Sequence, residues 1–142
     1  MRSAFLEGNS GVSAGVKKKV ENVTVARTLT NDDSGKVFML DAAGGAYAVT
    51  LPTALEDGVY YKFVVSEETP TGAMTIAAGS AIVSMVMKDA GGNASNSTAG
   101  TQVSNVIIGT SAQKGDYINI MAAGNEWVAE CLSSIDDAVT TS

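Results

Sequence analysis

Val59-Tyr60-Tyr61-Lys62-Phe63-Val64-Val65 is the stretch on which the fold turns. Every position except Lys62 carries a β-branched or aromatic side chain. Such side chains crowd a helical turn but pack well on a pleated, half-buried surface. A strand this apolar is stable only among other strands, so the flanking sequence must supply them.

Upstream, Ala46 to Leu51 reads as a strand closed by Pro52, and Thr53 to Gly58 as a short connection with at most one helical turn. Lys36 to Asp41 is another strand, with Val37 and Met39 opposing Phe38 and Leu40. The cluster Asn31-Asp32-Asp33-Ser34-Gly35 is turn chemistry, since Asx side chains bond nearby backbone and Gly accepts positive φ. Before it, Val23 to Thr30 alternates, which predicts one strand with Val23, Val25 and Leu29 on one side.

Downstream, Glu67 to Gly72 reads as a hairpin loop leading to Ala73–Ala77, with Ala81–Met87 beyond Gly79. Asp89 to Gly100 is a polar Gly/Asn/Ser/Thr loop, and Gln102 to Ile108 is a further strand. Lys114-Gly115-Asp116 turns into Tyr117–Met121. Gly124-Asn125 is a hairpin turn into the last strand, Glu126–Leu132. Short strands with turns every 8–12 residues predict an all-β fold: an antiparallel β-sandwich, jelly-roll-like, or a small barrel. No repeat of solenoid length is evident, which disfavours a solenoid.

The ends differ from this middle. Residues 1–22 are rich in Gly, Ser and Lys without an apolar period and read as an extended N-terminal arm. Residues 23–134 form the β-rich body, and residues 135–142 a polar C-terminal tail expected to fray. The arm is basic: Arg2, Lys17, Lys18 and Lys19 against Glu7 make residues 1–20 +3, leaving −9 on the rest of a chain of net charge −6. An acidic body repels nucleic acid. No apolar leader precedes Glu7, and Met74–Met87 is interrupted and shorter than the roughly 20 residues a spanning helix needs, so neither secretion nor a membrane is expected.

The 142 residues contain no histidine and one cysteine, Cys131. That removes the usual general base, the usual partner of a Ser or Cys nucleophile, the commonest metal ligand and any intramolecular disulfide. Gly11-Val12-Ser13-Ala14-Gly15 has the spacing of a nucleophile elbow, but without a strand, a helix or a His around it Ser13 reads as arm composition. The carboxylate pairs Asp32/Asp33, Glu67/Glu68 and Asp136/Asp137 fall in turns or the tail, not on opposing walls as glycoside hydrolysis needs. Asp32, Asp33 and Asp41 lack the loop pattern of a calcium site. The expectation is a non-enzyme without metal or cofactor.

The ordered succession Leu29–Lys36, Val49-Thr50-Leu51-Pro52, Gly58–Val65, Gly115–Ile120 and Gly124–Val128 resembles a β-rich module of tailed-phage virion proteins, found in capsid decoration (cement) proteins and in parts of tail fibres. The likeness covers about residues 23–132. It implies a structural virion protein, often a homotrimer, made in the host cytoplasm and seated on the outer capsid surface, with the major capsid protein as partner. On that reading Phe5, Leu6, Lys17, Lys18 and Lys19 are the arm's capsid contacts, and Tyr60, Tyr61, Phe63, Tyr117 and Trp127 anchor the core or an oligomer interface. The alternative is a tail-fibre or receptor-binding module whose 89–100 loop contacts a host glycan or protein.

Overall fold

A computed structural model of the chain describes residues 17–79, 83–88, 94–96 and 103–142. Twelve strands lie among them: β1 (Val20–Val23), β2 (Arg27–Thr28), β3 (Val37–Leu40), β4 (Tyr47–Thr50), β5 (Tyr60–Val65), β6 (Met74–Ala77), β7 (Val83–Lys88), β8 (Ala94–Asn96), β9 (Asn105–Ile108), β10 (Tyr117–Ala123), β11 (Glu126–Leu132) and β12 (Val139–Thr141). The one helical element among the described residues is a 3₁₀ turn at Asn31–Asp33. The protein is all-β, as its sequence implies.

The strands form a seven-stranded sheet in the order β1-β3-β5-β10-β11-β7-β8 and a five-stranded sheet in the order β12-β9-β6-β4-β2. The arrangement is sandwich-like and does not close into a barrel. From β1 to β6 the chain alternates between sheets, and each strand lies parallel to the next one in its own sheet. Val20 sits opposite Val37, and Val37 opposite Lys62, so successive steps are 17 and 25 residues. In the other sheet the steps from Arg27 to Val49 and from Val49 to Ile76 are 22 and 27 residues. The first half is therefore a flattened coil of three unequal turns, and unequal turns leave no repeat in the sequence. In the second half the β10–β11 hairpin and the pairs β9 makes with β6 and β12 are antiparallel, while β7 lies parallel to β11, so the sheets are mixed rather than antiparallel throughout.

This winding corrects several local expectations. The Glu67–Gly72 segment is not a hairpin loop, because β5 and β6 lie in different sheets and the segment is a crossover. The Val23–Thr30 run is not one strand: β1 ends at Val23 and takes its first three residues from the stretch read as arm, so the body begins at Val20. After the chain changes sheets β2 covers only Arg27–Thr28; Val23 and Leu29 are buried, but Val25 at the corner is exposed. No helical turn forms at Thr53–Gly58. The 89–100 loop contains β8, paired with β7. The tail does not fray: Ala138 and Val139 are buried, β12 pairs with β9, and the Ser142 carbonyl accepts from the amides of Ser104 and Asn105.

The alternation written in β5 does what a two-sheet fold requires. Tyr61, Phe63 and Val65 point into the core while Tyr60, Lys62 and Val64 face outward. Phe38 stacks on Phe63 with centroids 5.6 Å apart, and Tyr61 tilts against Trp127 at 5.9 Å. Val49, Met74, Ile76, Val106 and Ile108 close this layer from the five-stranded sheet. Burying a side chain of this size contributes roughly 1.5–3 kcal/mol.

At the β1/β2 end the gap between the sheets is filled by charges. Glu21 points inward from the edge strand, its carboxylate 2.7 Å from Arg27 Nη1 and 3.2 Å from Lys36 Nζ. Asp33 accepts from Lys36 at 2.6 Å and from Arg27 at 3.3 Å, and its other oxygen accepts the Thr30 amide at 3.0 Å. Inward charges at a sheet edge oppose pairing with another chain, because adding a strand there would desolvate them.

Candidate interaction surface

The outer face of the seven-stranded sheet carries the largest concentration of exposed apolar side chains among the described residues. Residues of β5, β10 and β11 alternate in and out, and the register aligns the outward ones in rows across the strands. Tyr60, Met121 and Val128 make one row. Lys62, Asn119 and Glu130 make the next, and Val64, Tyr117 and Leu132 the third. Val20 on β1 and Val37 on β3 prolong the middle row toward the edge. Tyr60, Met121, Val128 and Leu132 are each 43–44% exposed and Val20 is 58% exposed.

Local chemistry fixes these side chains. The Tyr60 carbonyl accepts the Gly35 amide at 2.8 Å, and its own amide donates to Ser34 Oγ at 3.1 Å. Gly35 has φ +86°, a conformation that L side chains rarely adopt, and the turn it makes packs against the Tyr60 ring. At the other end, Gly124 and Asn125 take φ 66° each, the left-handed pair a two-residue hairpin demands.

The middle row is polar between two apolar rows. Asn119 Nδ2 donates to Glu130 Oε1 at 2.8 Å, and Lys62 Nζ lies 4.5 Å above the Tyr117 ring. Beside it Lys18 Nζ stands 5.7 Å from the Tyr60 centroid. Tyr60, Asn119, Met121 and Val128 line a shallow groove of about 700 Å³, with Lys18 and Lys62 on one flank and Glu130 on the other.

The expected anchor residues divide between two roles. Tyr61, Phe63 and Trp127 are core, at most 1% exposed. Tyr60 and Tyr117 lie on the outer face, half-exposed and partly buried. Of the expected arm contacts, Lys17, Lys18 and Lys19 are exposed at the start of β1, while Phe5 and Leu6 lie outside the described residues. Lys19 reaches Glu21 at 3.7 Å. Met121, Val128, Glu130 and Leu132 on the interaction face were legible as outward positions of β10 and β11, but alternation alone does not say that a face lacks a cover.

Burial, with Asp116 adding to it, pushes the Cys131 thiol up to about 12, so it is neither a nucleophile nor a ligand at neutral pH. Among the described residues no group of three or more acidic or thiol side chains is placed to hold a metal ion, and no helix is long and apolar enough to cross a membrane. No protein-family model matches the sequence, and no curated protein matches it.

Proposed function

We propose that this chain is a structural protein of a phage particle, a capsid decoration subunit that binds the outer face of the head and stabilises it. The observation that carries this reading is the basic triplet Lys17–Lys19. It stands exposed at the point where the chain enters β1, on a body that is otherwise strongly acidic. Directly beyond it the chain is fastened: the Val37 amide donates to the Lys19 carbonyl at 2.9 Å and β1 runs parallel to β3. A tether held by ladder bonds at its root passes a pull on the arm into a packed sheet.

The mechanism is mechanical. Lys17, Lys18 and Lys19 make the electrostatic contacts with an acidic capsid surface, and Phe5 and Leu6 supply an apolar anchor. Ordering such an arm costs roughly 1–2 kcal/mol per residue. Many symmetric sites offset that cost, since linked copies bind at high effective concentration. Each seated copy adds buried interface to the shell and so resists internal pressure.

Sedimentation with cognate heads stripped of their decoration tests this. The full chain is expected to co-sediment at a fixed stoichiometry, and the K17E/K18E/K19E variant to remain in the supernatant. If the full chain also stays in the supernatant, the capsid reading fails, and binding of host cells becomes the assay for the tail-fibre alternative.

A further inference from the structure

We propose that the outer face of the seven-stranded sheet docks on a second copy of itself about a two-fold axis lying in the interface and running along β10. The proposal stands independently of where on a particle the chain sits. It rests on the row pattern of the face, above all on the placement of Lys62 and Glu130 at equal distances on either side of Asn119.

An axis along β10 sends β5 onto the partner's β11 and leaves each row opposite itself. Lys62 then meets the partner's Glu130, and Glu130 the partner's Lys62, which makes two ion pairs related by symmetry. Tyr60 meets the partner's Val128, Val64 meets the partner's Leu132, and Met121, Asn119 and Tyr117 each meet their own copy. The other in-plane axis, across the strands, would set Lys62 against Lys62 and Glu130 against Glu130. A shift of two residues along the strands would set the polar row against an apolar one. The charge pattern therefore selects one arrangement among those that a flat apolar face allows.

The dimensions suit a modest dimer. The five strands that overlap their copies across this axis, β3, β5, β10, β11 and β7, hold 30 residues; at roughly 3.3 Å per residue and 4.8 Å between strands they give a face on the order of 500 Å² in projection. That is close to the lower end of specific interfaces, about 600 Å² per partner. The apolar residues on it are of the types that interface centres favour, two tyrosines and a methionine among them. The β1 edge, by contrast, is guarded by its inward charges, so association through the face is the route left open at that side.

Light scattering of the full chain across a concentration series is expected to converge on twice the chain mass. K62E and E130K should each weaken the dimer on the order of 100-fold, because each reversal creates two like-charge contacts. Mixed in equal amounts, those two variants should recover the dimer, since every carboxylate of the K62E chain then meets an ammonium of the E130K chain. Under mild oxidation M121C should form an intermolecular disulfide, and V20C, far from the axis, should not. Circular dichroism and the urea midpoint of each variant establish that it is folded. A constant mass of one chain overturns the proposal, as does a mass of three, which the likeness to decoration proteins implies. A dimer indifferent to K62E and E130K, or a mixture that stays monomeric, overturns it equally, and none of these results bears on head binding.

Discussion

The phenol of Tyr61 donates a 2.7 Å hydrogen bond to the backbone carbonyl of Thr30. It joins the centre of the seven-stranded sheet to the turn that follows β2, so one side chain spans the seam between the layers. The carbonyl also accepts the Asp33 amide at 3.0 Å and keeps a partner if the phenol is removed. Tyr61→Phe is therefore expected to cost about 1 kcal/mol, the net worth of one neutral hydrogen bond. Urea unfolding followed by Trp127 fluorescence measures it, and an unchanged midpoint would show the bond to be dispensable.

Alkaline unfolding follows from the same burial. Burial pushes Tyr61 and Tyr47 from 10.0 to about 12 and Cys131 from 9.0 to about 12. These acids hold their protons more tightly when folded, so between about pH 9 and 12 the unfolded chain binds fewer protons and stability falls as pH rises. Lys36, raised by its bond to Asp33, loses its contribution on the same side. Equilibrium unfolding across that range is expected to show a steep loss, and Tyr61→Phe a shallower one.

Asp33 predicts the acid side. Burial works against ionisation at both Asp33 and Glu21. Hydrogen bonds from Lys36, with the Thr30 amide at Asp33 and Arg27 at Glu21, outweigh it and hold the two carboxyls below their ordinary 3.8 and 4.5. Their stabilisation is complete above those ordinary values and is lost as pH falls through the lowered ones. Asp33→Ala should cost about 2 kcal/mol at pH 7. Its stability should also fall less between pH 5 and pH 3 than that of the unaltered chain, and a parallel fall would show the cluster to be neutral.

Gly72 predicts a packing limit. A Cβ there would run into the backbone of Gly45 and Ala46, where the β3–β4 connection crosses over it. Because backbone rather than a flexible side chain is in the way, Gly72→Ala is expected to cost about 1–3 kcal/mol. Gly44→Ala, with open space around it, is the matched control and should lie within about 0.5 kcal/mol of the unaltered chain.

Cys131 should be silent in the folded protein. At neutral pH an aromatic disulfide reagent is expected to label none of it natively and one thiol per chain in urea. Labelling at native rates would mean that β11 opens far more often than its place between β10 and β7 allows.

Much of the fold was legible because each strand carries its own signal. Phe38 and Leu40, Tyr61 and Phe63, Ile118 and Ile120 alternate with outward neighbours, and the buried set is the one alternation names. The Gly124-Asn125 hairpin was legible from two residues. Pairing was less so. A parallel partner lies 17–27 residues away across a change of sheet, and nothing local in Val37 points to Val20 or to Lys62. The β12 strand was hidden for a different reason: its ladder and the buried Ala138 and Val139 outweigh the polar composition around them. The interaction face was half legible, since outward positions follow from alternation but their alignment into rows depends on register.

The way β1 is fastened has a consequence for failure under tension. Its bonds to β3 run in register along the whole strand, and the chain leaves it from the end at Lys19. A pull along the strand axis stretches every bond of that ladder together, whereas a pull away from the sheet would break them singly from one end. The attachment should therefore be strongest against a pull along β1 and weakest against lifting, which gives the body a grain, as wood has.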